Sequence, residues 1–228
     1  NGLLEAFAEK ITQNNASGVA LVLQNAIITE GYRPSEAVVE NILQAFKGNI
    51  TKTNAGSVAK AFVNALIASY TFKDTNLVEN ILLEFSETEI YKNNIANIAD
   101  VFGYVLLKGY TFNNKDIVIN LLTKFNDFIQ NNDVDNQIAE PVINGLGQVL
   151  AKGYQPNIDL VKNLYNKIKE VKKIEHDNRN LIFVGEYLSK YEEYKNNLSN
   201  ALSGYDVKSA EKVQVLIDKL YDLISNYP

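Results

Sequence analysis

Gly109-Tyr110-Thr111-Phe112, followed by Ile117, Val118, Leu121, Leu122 and Phe125, is the stretch on which the fold turns. Glycine takes the left-handed conformation just past a helix end without a Cβ penalty. The apolar residues after it are related by spacings of 3, 4, 7 and 8, which puts them on one face of a helix. The quartet recurs as Gly31-Tyr32-Arg33-Pro34, Ser69-Tyr70-Thr71-Phe72 and Gly153-Tyr154-Gln155-Pro156, with a weaker fifth copy at Gly204-Tyr205-Asp206. Successive tyrosines lie 38, 40, 44 and 51 residues apart.

Each tyrosine is followed by the same apolar pattern. It reads Val39, Ile42, Leu43, Phe46 in one unit and Leu77, Val78, Ile81, Leu82, Phe85 in the next. After Tyr154 come Val161, Leu164, Tyr165 and Ile168, and after Tyr205 come Val213, Leu216, Ile217 and Leu220. These are the B helices. Before each tyrosine lies an A helix, expected over Val19–Thr29, Val58–Ala68, Ile95–Lys108, Ile138–Lys152 and Leu181–Leu202. The A segments are apolar on more than one side, so each packs on several neighbours. Ser35, Asp74 or Thr75, Asn114 and Asn157 can cap the B helices. Pro34 and Pro156 cannot continue an A helix. The turns from B back to A are polar and Asn-rich, and no run alternates as a strand does.

The expected fold is all-α, an α-solenoid of four and a half to five αα-hairpin repeats of about 40 residues. One helical repeat domain spans 1–228, with 1–13 a partial first unit and 175–228 an atypical terminal unit. Asn1 stands where a complete chain would have Met, which suggests a segment of a longer protein.

Composition narrows the function classes. Net charge is −5, against the Lys/Arg surplus that wide phosphate-backbone binding needs. With no Cys and one His, the usual ligands of a transition-metal site are missing, and Cys nucleophiles are excluded. His176 sits in a polar turn, Glu175-His176-Asp177. Gly145-Leu146-Gly147 lies in a helical segment and reads as close helix packing, not as a dinucleotide loop. Lys162, Lys167, Lys169, Lys172 and Lys173 form a basic run that reads as a solvated helix face. No phosphate loop, zinc-protease or esterase motif is present. No apolar stretch is long enough to span a bilayer. The expectation is a protein that is not an enzyme and takes no cofactor or metal.

Two repeated features are candidates for recognition. Tyr32, Tyr70, Tyr110 and Tyr154 form either an aromatic edge stripe or a row of structural tyrosines packed under the turns. Asn41, Asn80, Asn120 and Asn163 recur on the B helices, where Asn has no propensity advantage. They either line a concave groove for an extended ligand or satisfy polar groups between repeats.

Leu150-Ala-Lys-Gly-Tyr-Gln-Pro156 followed by an amphipathic helix resembles the units of octotricopeptide and related organellar RNA-binding helical repeats. That resemblance implies RNA binding. Val58-Ala-Lys-Ala-Phe-Val-Asn-Ala-Leu66 and Leu3-Leu-Glu-Ala-Phe7 are similar to the helical repetitive domains of spider silk proteins. That resemblance implies an extracellular structural unit, and an extracellular or surface location. The leading expectation is a protein-binding scaffold, with a protein partner or self-assembly. The alternatives are a structural repeat unit and an RNA-binding repeat, the acidic charge counting against the last.

Overall fold

A computed structural model of the chain describes residues 2–72, 74–89, 92–171 and 178–202. Two compact units divide it, Asn1–Leu181 and Ile182–Pro228. All regular secondary structure among the described residues is helical, with no strand among them. The first unit carries α1 (Gly2–Ala8), α2 (Ala16–Ile28), α3 (Glu36–Ala45), α4 (Ala55–Ile67) and α5 (Thr75–Glu87). It continues through α6 (Ile95–Leu107), α7 (Asp116–Asn131), α8 (Asn136–Ala151) and α9 (Ile158–Lys169), and holds the start of α10 (Arg179–Leu202). The described part of the second unit is the rest of α10. Tyr205, the fifth B pattern and His176 lie outside the described residues.

The first unit is four helical hairpins preceded by one B-type helix. α2, α4, α6 and α8 are A helices packed side by side, and α1, α3, α5, α7 and α9 form the B layer. The core lies between the layers. Phe46, Phe85 and Phe125 occupy the same B position and are fully buried, as are Phe62 and Phe102 from the A layer. Truncating one such ring to Ala costs about 3–5 kcal/mol.

The stop between A and B is a Schellman turn. In the third unit Gly109 N–H donates to Leu106 O (3.0 Å) and Tyr110 N–H to Val105 O (3.2 Å). The second and fourth units repeat it, with Tyr70 N–H to Ala65 O at 3.0 Å and Tyr154 N–H to Val149 O at 3.2 Å. The residue before the tyrosine is left-handed each time, with φ of 91° at Gly109, 77° at Gly153 and 62° at Ser69. The first unit departs. Its A helix ends at Ile28, and Tyr32 N–H bonds Thr29 O at 3.2 Å instead.

The caps of three B helices are as expected: Ser35 Oγ accepts from Val38 N–H, Asp74 Oδ1 from Asn76 N–H, and Asn157 Oδ1 from Asp159 N–H. Ahead of α7, Asn114 Oδ1 accepts from Asp116 N–H (3.0 Å), although the residue flanking the helix is Lys115. Two A helices start three residues before the expected positions, at Ala16 and Ala55. Those first turns carry small residues, which give no apolar periodicity to read.

The A layer is the tighter of the two. An added Cβ on Gly103 of α6 would lie 3.5 Å from the Gly145 backbone of α8, so these helices meet through two glycines. In this unit the A helices pack on one another more closely than the B helices do.

Backbone handedness at the stops makes a stability prediction. Replacing Ser69 by Gly relieves a left-handed side chain and stabilises by ~0.5–1 kcal/mol, whereas Gly109→Ala costs ~1 kcal/mol. Thermal melts resolve both, at about 2–4 °C per kcal/mol for a chain of this size.

Candidate binding surface on the A helices

The tyrosines join consecutive units through their hydroxyls. Tyr110 Oη accepts from Phe72 N–H (3.1 Å), and Tyr154 Oη accepts from Phe112 N–H (3.1 Å). Both partners are the second residue after the preceding unit's tyrosine. One unit earlier that place is Pro34, which has no N–H. There the bond reverses, and Tyr70 Oη donates to Pro34 O at 2.8 Å. Tyr70 is buried, with the Arg33 guanidinium 4.4 Å from its ring centroid. Burial pushes its hydroxyl pKa up, partly offset by Arg33. Tyr110 and Tyr154 are half-buried, and Tyr32 is 40% exposed. The row is therefore a set of inter-unit bonds at Tyr70, Tyr110 and Tyr154, and its open aromatic surface is at Tyr32.

A second stitch runs along the turns into the A helices. Asn54 Oδ1 accepts from Thr51 N–H, while its amide donates to Asn49 O (2.9 Å) and across to Gln13 O of the preceding turn (3.3 Å). Asn94 repeats this with Glu89 O (3.3 Å) and Lys52 O (3.4 Å). Both asparagines are buried. A third stitch joins the B layer: Glu40 Oε1 accepts from Asp74 N–H (3.0 Å) and Glu79 Oε1 from Asn114 N–H (2.8 Å).

The asparagines singled out from sequence lie elsewhere. Asn41, Asn120 and Asn163 are exposed and Asn80 is half-buried, all on the B helices. Asn41 lines a cavity of about 500 Å³ together with Glu5, Ala8, Glu9, Gln44 and Ala45. Small residues let the A helices converge, whereas Phe46, Phe85 and Phe125 fill the B side.

Among the described residues, two indentations lie on the A-helix surface. One, of about 300 Å³, is lined by Ser17 and Gln24 of α2, Ser57 and Lys60 of α4, and Asn97 of α6. Two polar contacts cross it: Ser17 Oγ lies 2.8 Å from Ser57 Oγ, and the Gln24 amide donates to Ser57 O at 2.9 Å. The other, of about 200 Å³, lies between α6 and α8 and is lined by Asp100, Tyr104, Asn144, Gln148 and the Asn180 side chain. Asn180 seals its far wall. Its amide donates to Asn144 Oδ1 (2.9 Å), and the side chain rests on Gly147, where a Cβ would clash.

Asn97, Asp100 and Tyr104 recur at i, i+3 and i+7, one face of α6. None was singled out from sequence. A signal for Tyr104 was available in the polar positions that interrupt apolar A segments six residues before Tyr70, Tyr110 and Tyr154, namely Asn64, Tyr104 and Gln148. Asp100 is half-buried, and among the described residues no hydrogen-bond donor reaches its carboxylate. Burial alone raises its pKa from 3.8 to about 6. Among the described residues no group of three or more His, Cys, Asp or Glu could hold a metal ion, and no helix is long and apolar enough to cross a membrane.

Compared with protein-family models, curated proteins and solved structures, the chain matches none.

Two outcomes are expected from substitution. Tyr70→Phe and Tyr110→Phe each leave a backbone group of the preceding turn without its bond and cost about 1–2 kcal/mol, while Tyr32→Phe stays within about 0.5 kcal/mol. Urea titration measures all three. For Asp100, the folded chain holds the proton more tightly than the unfolded chain. Stability therefore falls as pH rises from 3.8 to about 6 and stays lower above. Asp100→Asn removes that penalty, by about 1–2 kcal/mol once solvent screening is discounted. Its melting temperature should exceed the parent's by a few degrees at pH 7.5, with the gap closing by pH 4.

Proposed function

We propose that the chain is a non-enzymatic binding scaffold whose A-helix surface takes up an extended peptide segment of a partner protein. What carries this reading is the set of polar side chains in equivalent places on otherwise apolar helices. Asn25, Asn64, Tyr104 and Gln148 lie one per A helix, and none is buried. Each carboxamide offers one acceptor and a paired donor, the same chemistry as a peptide group. A tyrosine hydroxyl does both as well.

Spacing supports a peptide. Packed helices lie about 8–10 Å apart. Three residues of polyproline II chain rise about 9 Å, and such a chain leaves its own backbone groups unbonded. A peptide crossing the A helices in that conformation meets one polar side chain per turn. The exposed Ile67 and Leu107, in equivalent places at the ends of α4 and α6, add an apolar border for its side chains.

Selection of displayed random peptides on the intact chain tests this. The enriched peptides should bind at least tenfold more weakly after Asn64→Ala or Gln148→Ala, and with unchanged affinity after Asn41→Ala or Asn120→Ala. Failure to enrich any peptide, or binding sensitive only to the B-helix changes, sinks the reading.

A further inference from the structure

We propose that the cavity between α6 and α8 is a receptor for one guanidinium group, the side chain of an arginine in the bound peptide. This rests on the A-helix surface being the peptide-binding face, and it names what one of its two indentations selects.

The cavity holds an anion with nothing to balance it. Asp100 lies on its wall, and no Lys or Arg is among the lining residues. A carboxylate withdrawn from water without donors is costly, and a charged partner recovers more than a neutral one can. Its raised pKa, near 6, records the same imbalance, yet still leaves the group largely ionised at pH 7.5.

Volume sets the size of the occupant. About 200 Å³ falls below the roughly 300–1,000 Å³ of sites that enclose drug-sized ligands. One side chain fits that space.

The remaining walls favour guanidinium over ammonium. Tyr104 lies one turn beyond Asp100 on the same helix, so a ring borders the carboxylate. A planar cation can lie against an aromatic face while its edge meets a carboxylate with two N–H groups. The Gln148 carboxamide stands on the opposite helix and can accept from an outer nitrogen, while Asn144 Oδ1 is already taken by the Asn180 and Asn178 amides. Gly103, Leu107 and Pro141 offer apolar surface for the methylene stem. A lysine ammonium would meet the carboxylate as a point charge and gain little from the ring.

Backbone amide shifts of the intact chain at pH 7.5 provide the test, with N-acetyl-arginine amide, N-acetyl-lysine amide and the isosteric, neutral N-acetyl-citrulline amide as probes. The arginine probe should shift Asp100, Gly103, Asn144 and Gln148 with a dissociation constant on the order of millimolar. Citrulline, lysine and the Asp100→Asn variant should each give binding at least tenfold weaker. Tyr104→Leu should weaken arginine binding without abolishing it. An equal response to citrulline or to lysine, or titration undiminished in Asp100→Asn, overturns the proposal. So do selected peptides that lack arginine yet lose affinity with Asn64→Ala and Gln148→Ala, a result that leaves the peptide-binding reading intact. Failure to enrich any peptide counts against that reading instead, and the small-probe titration still reports on the cavity.

Discussion

A left-handed residue ahead of the tyrosine is the constraint from which the regular hairpins follow. At Ser69, Gly109 and Gly153 it closes a Schellman turn and sets the direction in which the chain leaves the A helix. The tyrosine then stands in the place from which its hydroxyl meets the turn of the unit before. One local backbone choice thus fixes both the hairpin and the contact that stacks it on its neighbour. In the first repeat Gly31 is left-handed as well (φ 79°), but the turn is one residue longer, so Tyr32 lacks the Schellman bonds and its ring is open to solvent.

Much of this was legible in the sequence, because side chains carried it. Gly followed by Tyr marks the stop, and the 3, 4, 7, 8 spacing after it marks the buried B face. Asp74 and Asn157 were readable as caps for the same reason. What stayed hidden depended on backbone groups, which look alike in every residue. The tyrosine hydroxyls bond main-chain atoms, so nothing in the sequence separates a stripe from a stitch until the turns are in place. The reversal at Pro34 is the part that residue identity alone dictates, since a proline can only accept.

The candidate site was less legible than the fold, and the reason is geometric. A position six residues before a tyrosine lies on an A helix, but whether it faces the core, the next A helix or solvent depends on helix crossing. That crossing is set by Gly103 against Gly145 and by Gly147 against Asn180. Of the conspicuous asparagines of the B helices, Asn41, Asn120 and Asn163 are exposed and Asn80 is half-buried. Recurrence in a repeat protein reports duplication as readily as use. The A-helix positions vary in identity, from Asn25 and Asn64 to Tyr104 and Gln148, while keeping a polar character.

Asp100 sharpens that distinction. Most buried polar groups here complete a bond between units, as Asn54, Asn94 and Gln24 do. Asp100 completes none and is held at a cost in folding free energy. Local disagreement with an otherwise consistent fold is where function is most economically sought. The neighbouring units show that the fold does not require an acid there, for the equivalent A-helix residues are Lys60 and Asn144. A carboxylate that contributes nothing to stacking and weakens the folded state has its simplest physical account in a cation that arrives from outside the chain.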